Sequence, residues 1–194
     1  MALLDRETRA LHVEADLGWH RLLRGDGVAW DEYVHQLTVT YGFEFPFEAA
    51  CSCTPGLGQV IDLRGRSRSK LITQDLLALR WAVDEVKAIR CYALAPFQDV
   101  AEALAWMYVV ERPSVIHIDV CELRRRFVDL SRATSYLNAF ESSASKRRSE
   151  LGIALDLLCV SDRVCMRVIE AARAGFQALI EWQGTSNPTL QSVG

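Results

Sequence analysis

The segment LLDRETRALHVEADLGWHRLL, residues 3–23, carries the clearest helical pattern in the chain. Asp5 is a possible cap at its start, and the stretch Gly25-Asp26-Gly27 is a stop signal just beyond its end. The apolar side chains that recur at helical spacing are Leu3, Leu4, Leu11, Ala15, Trp19, Leu22 and Leu23. The pattern predicts a first helix of about 20 residues, a typical length for a globular protein.

A second helix is predicted to open at Asp31, with an apolar stripe through Tyr33, Leu37 and Tyr41. Pro46 is expected to bend or interrupt it, because proline removes a helical hydrogen bond. The alternation in LTVTYGFEF, residues 37–45, also fits a strand, so that alternative stays open here.

Two later stretches are predicted to be irregular. Residues 54–68 combine glycines, a proline and basic side chains, which is typical of an exposed connection. Residues 132–148 are polar and predict a loop around a short aromatic turn. Helical patterns cover 70–82, 83–91, a long helix from 96 that continues past Pro113, 148–160 and 162–182.

The absence of βαβ alternation and of internal repeats predicts an all-α fold with six to eight helices around one core. The domain is predicted to span residues 1–183, and residues 184–194 are predicted to form a flexible C-terminal tail. A chain of 194 residues that is 50% hydrophobic is long enough to bury such a core.

The composition argues against several classes of partner. The net charge of −3 comes from 22 basic and 25 acidic residues spread along the chain, so no basic face for nucleic acid is expected. No apolar run reaches the roughly 18 to 20 residues needed to span a bilayer, and the N-terminus becomes charged by residue 5. We therefore expect a cytoplasmic protein without a membrane partner.

The six cysteines form no C-x-x-C pair, and most lie within apolar helical patterns. A thiol in such a position behaves as a small hydrophobic group, so disulfides are not needed to explain them. A redox or metal pair at Cys51 and Cys53 is the less favoured alternative.

His12, Asp16 and His20 are spaced i, i+4, i+8, which puts them on nearly one helix face. Such a face can hold a metal ion, but a further ligand such as Glu48 or His117 would have to come from elsewhere. The simpler alternative is that Asp16 caps or pairs with a histidine. His12 stands apart because it lies on the apolar side, where a neutral imidazole can ligate a heme iron.

Here the sequence resembles a known family. RETRALHVEAD, residues 6–16, looks like the N-terminal signature of the heme oxygenase family, in which a threonine precedes the proximal histidine by four residues and an acidic residue follows it by four. Thr8, His12 and Asp16 match these positions. Three further segments are similar to the family in the same order: YVHQLTVTYGFEFPFE (33–48), KLITQDLLAL (70–79) and AARAGFQALIEW (171–182).

The resemblance implies heme as cofactor, with His12 as the ligand to the iron. It also implies an electron-donating reductase as partner, and ring opening to biliverdin, iron and carbon monoxide. Arg9 and Arg148, the latter in the run 146–148, are candidates to meet heme propionates, although a solvated charge run is the more common case. Asp5 departs from the family, because mammalian-type members place a basic residue there.

The segment YVVERPSVIHIDV, residues 108–120, departs further. The family has a glycine-rich stretch here, and the missing side chains let a kinked helix lie close over the heme. With Glu111 aligned to the family's glutamate, the glycines fall on Arg112, Ile116 and His117. Pro113 can keep the kink, but the clearance is lost. We expect Ile116 or His117 to point toward His12.

Three functions stay open from the sequence. The first is a divergent heme oxygenase with impaired or lost turnover. The second is a protein that binds heme or another tetrapyrrole without degrading it, with His117 approaching the iron opposite His12. The third is a helical interaction protein whose pocket is closed by side chains. The oligomeric state is not predicted.

Overall fold

The computed structural model describes residues 1–24, 30–112 and 132–186, and every regular element in these ranges is an α-helix. The all-α prediction is therefore confirmed. In chain order the helices are α1 (Ala2–Glu7), α2 (Arg9–Ala15), α3 (Leu17–Arg24), α4 (Trp30–Cys53), α5 (Leu57–Val60), α6 (Ser69–Ala78), α7 (Val83–Lys87), α8 (Val100–Val110), α9 (Ser135–Leu158) and α10 (Asp162–Ser186).

The predicted first helix is divided into α1, α2 and α3 by breaks at Thr8 and Asp16. The i→i−4 hydrogen-bond pattern continues at both breaks. The His12 amide donates to the Thr8 carbonyl, and the His20 amide donates to the Asp16 carbonyl. Thr8 also donates its hydroxyl to the Leu4 carbonyl at 2.8 Å, a contact that bends helices. The N-terminal segment is thus a bent helix. Its predicted stop at 25–27 lies outside the described residues.

Helix α4 runs unbroken for 24 residues through Pro46, so both the interruption and the strand alternative for LTVTYGFEF are wrong. Pro46 has no N–H to give to the carbonyl of Gly42, four residues earlier. The amide of Tyr92 donates to that carbonyl instead, at 2.8 Å. A tertiary hydrogen bond therefore replaces the one that proline removes, and the helix continues.

The same close approach explains why position 42 is glycine. A Cβ there would lie 2.5 Å from the Arg90 carbonyl and 2.6 Å from the Trp182 ring. We predict that Gly42→Ala lowers the free energy of unfolding by about 1–3 kcal/mol, because the Arg90 backbone and the buried Trp182 indole must shift. Chemical denaturation with circular dichroism measures this. Gly58→Ala is the matched control, since its Cβ meets nothing within 4 Å and should be neutral or stabilising. Equal effects of the two changes would contradict the close-contact explanation.

The region 54–68 is not an exposed connection as a whole. It contains the short helix α5, and its Arg66 and Arg68 are buried. Carboxylates from other elements pair with both guanidinium groups, so these two arginines belong to the interior, whereas Arg64 is exposed. Sequence patterns could not show this, because the partners Glu44, Glu111 and Glu150 are distant in the chain.

The loop predicted at 132–148 is also wrong, because α9 begins at Ser135 and continues to Leu158. The carboxylate of Asp75 accepts hydrogen bonds from the amides of Ser135 and Tyr136, at 2.8 and 2.9 Å. These two amides have no intrahelical partner, so Asp75 caps the helix from a distant element.

Helix α8 is the central element, with nine of its eleven residues buried. Helix α10 packs along α8, and α4 packs against α6. Helix α10 ends at Ser186, which is three residues into the predicted tail. The tail residues 187–194 and the continuation past Pro113 lie outside the described residues. No helix in the described ranges is long and apolar enough to span a bilayer.

Candidate functional site

The bent N-terminal helix brings Thr8, His12 and Asp16 to the side of α8. The His12 ring lies edge-on to Tyr108, with ring centroids 5.5 Å apart, and packs against Phe176 of α10 at 4.7 Å. His12 is half-buried between these aromatic rings. The helical spacing of the Thr-x-x-x-His-x-x-x-Asp motif therefore does place all three side chains at one interface.

The hydroxyl of Tyr108 is the centre of a polar cluster at this interface. It donates to the Asp5 carboxylate at 2.8 Å and lies 3.0 Å from the Thr8 hydroxyl and 2.7 Å from His12 Nε2. Arg148 completes the cluster with an ion pair to Asp5 at 2.9 Å. Asp5, which departs from the family pattern, thus serves as the acceptor for Tyr108 and the partner of Arg148.

The proton positions follow from this geometry. Tyr108 has one hydroxyl proton, which it gives to Asp5, so its oxygen accepts from His12. In the neutral ring this arrangement puts the proton on Nε2, the nitrogen that faces Tyr108. Burial, with the Arg112 guanidinium as the next cause, lowers the pKa of His12 below its usual value, which favours this neutral form.

Arg112 joins α8 to the N-terminal helix. Its guanidinium pairs with Asp16 at 2.8 Å and donates to the carbonyls of Ala15 and Val109. The two charged side chains are 8% and 7% exposed, so the pair is buried. Arg112 is one of the three residues that the predicted resemblance aligns with glycines. Its side chain contacts both the N-terminal helix and the end of α8.

A small cavity of about 30 Å³ lies beside Arg112. Glu44, Tyr136, Trp19 and Thr40 are among the residues that line it. Glu44 is fully buried, and its Oε2 has no hydrogen-bond partner among the described protein atoms. Burial raises the pKa of Glu44, although Arg68 and the Tyr136 hydroxyl act in the opposite direction. A cavity of this volume holds about one water molecule, far less than the roughly 300–1,000 Å³ of a cofactor pocket.

The side chains at this interface do not fit an iron porphyrin in the described conformation. Nε2 of His12 lies 2.7 Å from the Tyr108 hydroxyl, so this nitrogen can ligate an iron only if Tyr108 releases it. A porphyrin between α2 and the end of α8 would also have to displace Arg112 from Asp16. The residues predicted to bind heme therefore contact one another instead.

The remaining predicted residues are placed as follows. Arg9 is exposed, and Arg148 is used by Asp5 as described. Pro113, Ile116 and His117 lie outside the described residues, so the expectation that Ile116 or His117 points toward His12 stays a prediction.

Among the described residues, no group of three His, Cys, Asp or Glu side chains could hold a metal ion. The face of His12, Asp16 and His20 is therefore not assembled as a metal site within that part of the chain.

The contacts of Tyr108 and Arg112 with the motif were not predicted from the sequence. Both residues are 96 positions from their partners in the motif, so no local spacing indicated these contacts. Comparison with known proteins adds nothing further: the chain matches no protein-family model, no curated protein and no solved structure.

Proposed function

We propose that this chain is a divergent heme oxygenase-like protein that has lost ring-opening activity and acts as a helical interaction protein with a closed pocket. The buried pair of Arg112 with Asp16 is the observation that carries this proposal. It joins the two elements between which the family resemblance would put the heme. Within residues 1–24, 30–112 and 132–186, the cavity beside Arg112 has room for about one water molecule.

The cost of opening this interface supports the loss of turnover. Removing one partner of a buried ion pair costs about 3–5 kcal/mol, because the remaining charge stays desolvated. Separating Arg112 from Asp16 leaves both charges in that position. Breaking the bond between His12 and Tyr108 adds about 1 kcal/mol. Heme binding at His12 would have to supply both amounts before any chemistry began.

An interaction role is supported by apolar side chains that the described fold leaves in solvent. Ile153 and Leu157, one helical turn apart on α9, are 58% and 73% exposed, and Val160 just beyond the helix is 83% exposed. Single exposed apolar residues are common, but three within two turns at one helix end suit contact with another apolar surface.

A second candidate is a protein that binds heme without degrading it. The neutral state of His12 favours it, because a neutral imidazole is the form that ligates iron. This candidate requires Tyr108 to release the ring and His12 to move its proton to Nδ1. The electron-donating reductase and biliverdin production implied by the resemblance are not part of either proposal.

Titration of the purified protein with hemin tests these alternatives. We expect a visible spectrum no different from that of free hemin, because Tyr108 occupies Nε2 of His12 and Arg112 pairs with Asp16 across the interface. A sharp Soret band that shifts with azide would overturn the closed-pocket proposal by showing an open iron site. A low-spin band that is lost in His12→Ala would favour the second candidate, and a band that survives in His12→Ala would exclude His12 as the ligand.

A further inference from the structure

Two cysteines that are separate in the sequence meet at the turn between α9 and α10. Cys159 directly follows α9 as its C-terminal cap, and Cys165 lies in the first turn of α10. The Cys165 thiol donates a weak hydrogen bond to the Cys159 carbonyl at 3.7 Å. Burial, followed by the interaction with Cys165, raises the pKa of Cys159 to about 11.

The pair is accessible to small molecules. Both side chains are half-buried and line an apolar cavity of about 270 Å³, whose walls include Leu4, Leu155 and Ile169. The other described cysteines are differently placed: Cys51 is buried in the core, and Cys53 and Cys91 are exposed and distant in the chain. The five described cysteines are all free thiols.

We propose that Cys159 and Cys165 form a dithiol modification site that small disulfide oxidants, of the class of oxidised glutathione, convert into an intramolecular disulfide. This site is independent of the proposed function at His12. The oxidation removes two electrons and two protons from the two thiols, and one molecule of the oxidant is reduced to two thiols.

The exchange takes two steps. A thiolate is the attacking species. One of the two sulfurs loses its proton and attacks the oxidant, which forms a mixed disulfide and releases one glutathione. The other sulfur then loses its proton and attacks the first, which releases the second glutathione and closes a loop with five intervening residues.

The sequence provides a direct assay. Trypsin cleaves after Arg148, Arg163 and Arg167, so Cys159 and Cys165 fall in separate peptides, 149–163 and 164–167. The folded protein is treated with oxidised glutathione, its remaining thiols are blocked with iodoacetamide, and the digest is analysed by mass spectrometry. We expect a disulfide-linked pair of these two peptides that disappears after dithiothreitol.

Matched variants separate this site from general oxidation. The double variant Cys53→Ser/Cys91→Ser, which removes the exposed thiols, should keep the linked pair. Cys159→Ser should lose it and instead accumulate glutathione on peptide 164–167. Circular dichroism before digestion verifies that each variant is folded. The inference is overturned if the two peptides remain unlinked and separately alkylated, or if they link mainly to other cysteines.

Discussion

Replacing Arg68 with methionine should lower the free energy of unfolding by about 3–5 kcal/mol, because it leaves the carboxylate of Glu44 buried without its counter-ion. The guanidinium of Arg68 lies 2.8 Å from Glu44 Oε1 and donates to the Val110 carbonyl at 2.8 Å. Both charged side chains are almost fully buried, at 4% and 7% exposed. Urea denaturation at pH 7 measures the loss.

The pH dependence gives a second reading of the same variant. The pKa of Glu44 in the folded protein is already raised by burial, and loss of Arg68 should raise it further. A carboxyl group whose pKa is raised in the folded state causes no loss of stability at a pH below its unfolded pKa, where it is protonated in both states. It destabilises the fold as the pH rises from the unfolded pKa through the folded pKa. The deficit of Arg68→Met should therefore be larger at pH 8 than near pH 5.

Two controls accompany this prediction. The double variant Glu44→Gln/Arg68→Met should recover much of the stability, because a neutral amide can still accept from the Tyr136 hydroxyl. Lys87→Met breaks an ion pair with Asp84 in which both side chains are largely exposed, and it should change stability by less than about 0.5 kcal/mol. A loss below about 1 kcal/mol for Arg68→Met would contradict the buried-pair account.

The double variant Tyr108→Phe/Arg112→Gly should bind hemin about 100-fold or more tightly than the unmodified protein. In the unmodified protein, hemin must break the bond between His12 and Tyr108 and the buried pair of Arg112 with Asp16, which together cost more than about 4 kcal/mol. The variant lacks both contacts before hemin arrives. A 1.4 kcal/mol difference corresponds to a factor of ten in affinity, so even partial relief gives a large change.

The gain should depend on His12. Adding His12→Ala to the double variant should abolish the new Soret band, since no other described histidine lies at this interface. Arg167→Gly is the control for removal of an arginine. Arg167 is exposed and pairs with Asp99, and neither residue takes part in the contacts of His12. Thermal unfolding should show a less stable but cooperative fold, since Asp16 is left unpaired. A folded double variant with no gain in hemin affinity would refute the account of the closed interface.

Much of the helical content was predictable from local patterns. The stripes that predicted helices at 70–82 and 162–182 correspond to α6 and α10, because an apolar face with a period of 3.6 residues is a property of the segment itself. The motif of Thr8, His12 and Asp16 likewise reached one interface, since i, i+4 spacing on a helix fixes the relative direction of side chains.

Elements stabilised by distant partners were predicted wrongly. The polar composition of 132–148 predicts a loop, yet Asp75 from α6 caps α9, which begins within this stretch at Ser135. The predicted interruption of the helix at Pro46 is wrong, because the amide of Tyr92 supplies the bond that the Gly42 carbonyl would lack. In both cases a local penalty is offset by a hydrogen bond from more than 40 residues away, which no local pattern contains.

The sequence by itself determined that the fold is helical and which residues of the N-terminal helix share a face, because both depend on spacing along one segment. Only the tertiary structure decided what that face contacts. In the folded protein the Tyr108 hydroxyl contacts His12 Nε2, and the Arg112 guanidinium pairs with Asp16. The two residues of each contact are 96 positions apart in the chain. Whether a histidine is open to a ligand or occupied by a neighbour depends on such packing, because a ring nitrogen can serve only one of the two.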